Sequence, residues 1–271
     1  MIYPYNVHMH TTFCDGKNTP EEMVLAAIKK GFKCIGFSGH SPMPVMADWC
    51  MSRGGEVEYR SEILRLREKY QGKIDILLGF EFDICSKTPD YKYDYIIGSV
   101  HHLPKDGEYF IVDHTYEYTV DGIERLYNGD IREYVREYYY AESMVPEITN
   151  ADIIGHFDIV NKFNEGGRMF DEQSGWYREL ALDSLKKLIS YGKPFEINTG
   201  GIYRKCRTVP YPAEFILKAI KEWGGEIMIN GDSHDCPSLD FFYDDAVELA
   251  KSCGFKYAKA ITPRGFITVP L

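Results

Sequence analysis

The sequence predicts an α/β fold in one domain, residues 1–271, with a parallel sheet closed into a barrel and helices outside it. Three observations predict it. Short apolar runs alternate with helical stretches, the order that builds a parallel sheet. Seven or eight such units fit in 271 residues, which suits a closed barrel. No GxGxxG follows a strand candidate, which argues against a doubly wound dinucleotide-binding sheet, the alternative for this alternation.

The elements follow in order. Asn6-Val7-His8 is the first strand candidate. The next helix has Thr19 as its cap, Pro20 at its first position and Glu22 where a capping box needs an acceptor. Met23, Ala26, Ala27 and Lys30 keep helical spacing, and Gly31 is a stop. Cys34-Ile35-Gly36-Phe37 is the second strand. A helix from about Glu56 to Gln71 turns Ile63, Leu64 and Leu66 toward the core and ends before Gly72. The third and fourth strands are Ile74 to Phe80 and Tyr95-Ile96-Ile97-Gly98. Helical stretches near 116–127 and 130–145 come next; Tyr134, Tyr138, Tyr139 and Tyr140 read as a packing face. Ile153-Ile154-Gly155, Phe195-Glu196-Ile197-Asn198 and Ile227-Met228-Ile229-Asn230 are further strands. Helices near 174–191, 212–223 and 239–252 separate and follow them, with Gly192, Gly224 and Gly254 just past their ends. Phe266-Ile267-Thr268 is a candidate eighth strand.

Composition narrows the function. With 31 Lys and Arg against 41 Asp and Glu, the formal charge is −10. Phosphate backbones select a basic face, so nucleic acid is not the expected partner. No apolar run reaches the roughly 18 residues of a membrane helix, so no membrane partner is expected. The opening residues lack the basic and then apolar order of a signal peptide, and a cytoplasmic protein is the expectation. The seven cysteines contain no CxxC pair and read as free, small apolar thiols in a reducing compartment.

The informative feature is where the unusual residues fall. The strand candidates run into His8-Met9-His10, with Asp15 five residues on, and into His40, Glu81, His101, His156, and then Asp232 and His234. In a parallel barrel all strand C-termini meet at one face. Six of the eight histidines sit at such ends. On an extended chain, residues two apart point the same way, so His8 and His10 can face one ion. Imidazole and carboxylate without thiolate suit Zn, Mn or Fe in an open site. Nine candidate ligands exceed the needs of one tetrahedral ion. Two or three divalent ions, with Glu81 bridging, use them economically.

These motifs resemble the polymerase and histidinol phosphatase (PHP) superfamily over residues 6 to 235. The resemblance rests on His8-Met9-His10, Gly39-His40, a central glutamate, two mid-chain histidines and Asp232-Ser233-His234. Within it, Phe37-Ser38-Gly39-His40-Ser41-Pro42, Gly79-Phe80-Glu81, Ser99-Val100-His101-His102, Gly155-His156-Phe157-Asp158 and Glu196-Ile197-Asn198-Thr199 are most similar to the monofunctional histidinol-phosphate phosphatases. The resemblance implies a distorted (β/α)7 TIM-like barrel and a two- or three-metal centre. It implies His8, His10, Glu81 and Asp232 on one ion, Glu81, His101 and His156 on a second, and Asp15, His40 and His234 on a third. It implies metal-dependent hydrolysis of a small phosphate monoester, L-histidinol phosphate, with water as the nucleophile. The family's phosphate-binding arginine corresponds to Arg204, but Gly200-Gly201-Ile202-Tyr203-Arg204 is one residue longer than the usual pattern, and Arg207 is the alternative. Arg168, Lys162 and His102 are further candidates for the phosphate. Asp232 and His234 are candidates for protonating the leaving alcohol.

Plainer readings stand beside these. His102 can simply hydrogen-bond its neighbours, His114 reads as a surface loop residue, and Arg204, Lys205 and Arg207 could form a solvated turn. Rival functions are a hydrolase of the same superfamily acting on a nucleotide, a phosphotyrosyl protein or another small ester, and a non-enzymatic metal module. The loops 41–55, 104–120 and 161–173 separate the first group. The complete ligand set argues against the second. No heptad or apolar stripe indicates an oligomeric state.

Overall fold

The computed structural model describes residues 2–44 and 48–271. β1 (Tyr5–Asn6) leads to α1 (Pro20–Lys30), where Thr19 accepts from the Glu22 amide and the Glu22 carboxylate reaches back to the Thr19 amide. Gly31 ends this helix at φ 83°, a left-handed conformation that favours glycine. β2 (Cys34–Phe37), α2 (Arg53–Lys69), β3 (Asp75–Asp83) and β4 (Tyr95–Ser99) follow. A hairpin of β5 (His102–Lys105) and β6 (Glu108–Ile111) stands apart from the main sheet. After α3 (Tyr116–Tyr127), α4 (Ile131–Ser143) and α5 (Val145–Thr149) come β7 (Ile153–Ile154), α6 (Gly175–Ile189), β8 (Phe195–Asn198), α7 (Gly200–Tyr203), α8 (Glu214–Glu222), β9 (Ile227–Asn230) and α9 (Tyr243–Ser252). A second hairpin, β10 (Tyr257–Thr262) and β11 (Gly265–Pro270), completes the chain.

Seven parallel strands form one sheet in the order β1-β2-β3-β4-β7-β8-β9. The sheet curls so that β9 meets β1, giving the distorted seven-strand barrel. The two edges are not joined by a continuous ladder. At the C-terminal rim the His10 amide donates to the Ser233 carbonyl (2.8 Å) and the Ser233 amide to the His8 carbonyl (3.0 Å). Below, two asparagine side chains take the place of strand partners. Asn230 Oδ1 accepts from the Val7 amide (3.0 Å), and Asn6 Oδ1 accepts from the Gly231 amide (3.2 Å) and the His8 amide (3.1 Å). These buried amides are thereby satisfied without backbone pairing.

Tyr95 crosses the barrel interior. Its hydroxyl donates toward the carbonyls of Val7 (2.5 Å) and Phe37 (3.2 Å). Gly36 and Gly79 make room for the ring, since a Cβ at either position would lie within 2.4 Å of a Tyr95 side-chain atom. The ring fills what would otherwise be a void, and close packing makes such voids costly.

Several expectations are corrected. Val7 and His8 lie beyond β1, because the Asn230 side chain, not a strand, takes the Val7 amide. β3 continues three residues past Phe80, because its ladder with β4 runs on to Asp83↔Ser99. Leu64 is 40% exposed, rotated off the inward stripe of Tyr59, Ile63 and Leu66. Tyr140 is 68% exposed, while Tyr134, Tyr138 and Tyr139 are buried. The candidate eighth strand lies in β11, which pairs with β10 and not with the barrel. Among the described residues, no helix is long and apolar enough to cross a membrane.

Candidate metal centre

The strand C-termini converge as the parallel order requires. His8 and His10 follow β1, Asp15 lies on the next turn and His40 follows β2. Glu81 stands within β3, His101 follows β4, His156 follows β7, and Asp232 and His234 follow β9. All but Asp15 and His234 are buried. The structure thus brings the nine residues into one cluster at the barrel mouth.

The Glu81 carboxylate is its middle. Oε1 lies 3.0 Å from His156 Nε2, 3.3 Å from His8 Nε2 and 3.4 Å from His101 Nε2. Oε2 lies 2.9 Å from His40 Nδ1 and 3.4 Å from His10 Nε2. Asp232 Oδ1 is 3.3 Å from His10 Nε2, and Asp15 Oδ2 is 3.1 Å from His234 Nε2. Four overlapping groups place their ligand atoms within 4.8 Å of one another: His10, Asp15, His40 and His234; His8, Glu81 and His156; His8, His10 and Asp232; and His40, Glu81 and His101. In this grouping His10 faces both the Asp232 side and the Asp15 side.

The donor set fits divalent metal. His8 Nε2, His10 Nε2 and Glu81 Oε2 are buried and make no hydrogen bond, although opposite-type atoms lie close by. Buried polar atoms are rarely left this way unless something else satisfies them. Imidazole nitrogen and carboxylate oxygen without thiolate are the ligands of catalytic Zn, Mn or Fe sites.

Charge separates the imidazoles. Burial opposes a proton on His8, but Glu196, Glu81 and Asp232 outweigh it and hold His8 well above the usual imidazole range. The same contest, with Glu81 and Asp15 as the acids, pushes His40 up to about 9. Burial, with His234 and His40 beside it, drives His10 down to about 3. Burial would raise Glu81 and Asp232. The imidazoles around Glu81, and Arg204 with His8 beside Asp232, instead hold both carboxyls well below their ordinary values.

A cavity of about 220 Å³ opens over the cluster. Arg204 lines it, donating to Asp232 Oδ2 (2.7 Å) and to the Asp232 carbonyl (3.1 Å). Lys162 lines it too, with Nζ on Asp113 Oδ2 (3.0 Å) and on the Asp113 carbonyl (2.8 Å). The other phosphate candidates do not line this cavity. Arg207 binds both oxygens of Glu172 (2.8 and 3.1 Å) and the Asn161 carbonyl (3.1 Å), so it fastens the 161–172 loop. Arg168 lies over the Tyr116 ring, 3.7 Å from its centroid. His102 Nδ1 faces Asp83 Oδ2 (3.2 Å), and its ring stacks on Trp49.

Sequence reasoning missed Trp49, Ile111, Asp113 and Ile159 on the cavity wall, and set aside His114 as a surface residue, although it stands exposed at the cavity mouth. The one available signal was the acid and histidine pair Asp113-His114 just before the Thr115 helix cap. The discriminating loop 41–55 contributes Trp49, while its residues 45–47 lie outside the described residues.

Comparison with known proteins follows this geometry. The PHP domain family matches residues 6–200. A Deinococcus radiodurans protein named "probable histidinol-phosphatase" is 30% identical over 258 residues, covering 91% of this chain and 92% of its own length. The crystal structure of hisK from Listeria monocytogenes superposes with a TM-score of 0.79 at 22% identity, covering 89% of this chain and 99% of that one. Histidinol phosphate phosphatase from Lactococcus lactis, solved with Zn, L-histidinol and phosphate, gives a TM-score of 0.66 at 23% identity, covering 98% of this chain and 100% of that one.

Proposed function

The chain belongs to the PHP domain family, and from that premise we propose that it is a metal-dependent phosphatase converting L-histidinol phosphate to L-histidinol and phosphate. The observation that carries the reading is the Glu81 carboxylate held among five imidazoles, with the Arg204 and Lys162 cations in the cavity directly above. The site reads as two or three divalent ions of Zn, Mn or Fe, with His8, His10, Asp15, His40, Glu81, His101, His156, Asp232 and His234 as their ligands. What such ions supply when bound is Lewis acidity toward phosphoryl oxygens and toward an attacking water.

The chain's own residues do the rest. Arg204 presents a planar guanidinium beside the cluster, a shape that matches two phosphoryl oxygens. Its bond to Asp232 Oδ2 leaves Asp232 Oδ1 to face His8, His10 and His234. Lys162 adds a second cation to the lining of the same cavity. Histidinol carries an ammonium group one carbon from its ester-bearing carbon, so an acid must stand near the reacting phosphate. Asp113 fills that place. Burial would raise its pKa, but Lys162 and then His101 hold it well below the ordinary carboxyl range, so it stays charged for an incoming ammonium. Trp49, Ile111 and Ile159 give the wall an apolar face for the imidazole end. Asp232 and His234 remain the candidates for protonating the leaving alcohol.

We read residues 1–271 as one catalytic domain, because one cluster draws its ligands from residues 8 to 234. The seven free cysteines suit a cytoplasmic setting. The test is phosphate release from L-histidinol phosphate against nucleotide, sugar and aryl phosphates. A preference of two decades in kcat/KM, about 2.7 kcal/mol, supports the reading. A better nucleotide or phosphotyrosyl substrate would keep the metal chemistry and replace the substrate.

A further inference from the structure

Beneath the ligand cluster lies a carboxylate that none of the four ligand groups includes. Glu196, in β8, is fully buried. Its Oε1 faces His8 Nδ1 (2.8 Å) and Asn230 Nδ2 (2.8 Å), and its Oε2 faces the His156 amide (3.1 Å) and Asn198 Nδ2 (3.2 Å). The orientation of both asparagines is pinned from outside. Asn230 Oδ1 accepts from the Val7 amide and Asn198 Oδ1 from the Gly200 amide (3.0 Å), so each turns its NH₂ toward Glu196. Three donors that cannot be reversed therefore surround this carboxylate, and Glu196 acts as an acceptor on both oxygens.

That arrangement dictates the fourth contact. Facing an acceptor, His8 Nδ1 must carry hydrogen. When the ring is neutral, its Nε2 is then a bare lone pair, and this is the atom that points at Glu81 Oε1 and Asp232 Oδ1 without a hydrogen bond of its own. We propose that Glu196 is a positioning residue that fixes His8 in the Nδ1–H tautomer and so sets a ligand that two of the four groups share. The proposal rests on the reading that the cluster holds divalent metal. A carboxylate on the far nitrogen of a ligating histidine typically governs metal affinity by about 10–100-fold.

Glutamine at 196 keeps the shape but offers a single acceptor to four donors. Turned one way, its NH₂ opposes the His156 amide and Asn198. Turned the other way, it opposes His8 Nδ1 and favours hydrogen on Nε2. The experiment loads the full chain with zinc and follows zinc loss to a chelator, for wild type, Glu196→Gln, His8→Gln and the double variant. We expect Glu196→Gln to weaken zinc retention about 10–100-fold in the wild-type background and by less than about threefold once His8 is glutamine, since coupled residues are not additive. Equal losses in both backgrounds, or no loss in the first, overturn the proposal. A readout independent of variant folding is the nitrogen spectrum of zinc-loaded wild type labelled with ¹⁵N-histidine. A slowly exchanging Nδ1–H on His8 supports the assignment, and hydrogen on Nε2 sinks it. A wild-type chain that retains no zinc overturns the metal reading itself and this role with it, before any variant is compared.

Discussion

Loading the metal-free protein with zinc at pH 7 should release at least about two protons per chain. The count follows from the imidazoles. His40, pushed up to about 9, is about 99% protonated at pH 7. His8, held well above its ordinary range, is protonated as well. His10, down to about 3, carries no proton to lose, and Glu81 and Asp232 are already ionised. A ligand must shed its proton to bind metal, so two imidazoles contribute about one proton each. Calorimetric titration in buffers of different ionisation enthalpy reads this number directly. The His40 share halves near pH 9 and vanishes above it. The sign carries over to stability without metal. A raised imidazole pKa stabilises the fold fully below about 6.5 and loses that contribution as pH rises through about 9, on the order of 3 kcal/mol for His40. The lowered carboxyls act oppositely, and their contribution is lost as pH falls below about 4. Release of fewer than about one proton at pH 7, or a metal-free melting temperature that climbs from pH 7 to 10, would refute the charge assignment of the cluster.

Three substitutions test other parts of the argument. Asp113→Asn should lower kcat/KM for L-histidinol phosphate about 10–100-fold, the range of a lost charged hydrogen bond, while leaving an amine-free alkyl phosphate nearly unchanged; equal losses on both esters would remove Asp113 from substrate recognition. Arg207→Ala should act on stability, since it strands Glu172 from its buried partner. A cost of about 3 kcal/mol is expected from denaturant unfolding, with KM for small phosphate esters unmoved below the transition. Tyr95→Phe removes one donor from two carbonyls inside the barrel and should cost about 1 kcal/mol, lowering Tm by about 2–4 °C. A neutral result there would mean that ring packing alone holds the crossing.

The elements most legible in the sequence were those governed by local chemistry. Thr19, Pro20, Glu22 and Gly31 announce α1 at both ends because capping acts over a few residues. β2, β8 and β9 have the bounds their apolar runs suggest. The β5–β6 hairpin went unread, although Asp106-Gly107 carries the signal for a tight two-residue turn, with φ of 48° and 85°. β11 was misplaced because its partner, β10, was not recognised, and pairing is a property of two strands. The ligand residues were legible because residue type and strand-end position together carry the information. Asp113 and Trp49 were not, since loops bring them over the mouth and loop paths are set by tertiary packing. Arg204 and Arg207 stand three residues apart and looked interchangeable. Only the fold shows that one lines the cavity while the other ties down a neighbouring loop.

The seam between β9 and β1 has a consequence for how the molecule is made. The two sides of that seam, and the ligands above them, lie roughly 220 residues apart in a chain that is synthesised from its N-terminus. At about 5–20 residues per second, His8 and His10 emerge some ten to forty seconds before Asp232 and His234. During that interval β1 has β2 beside it but nothing on its other flank, and the early histidines stand without their distal partners. Metal can therefore meet His8, His10 and Asp232 together only after residue 232 has emerged. A ribosome halted before residue 232 would carry a gutter of strands, open along one side and baring imidazoles that the finished protein hides.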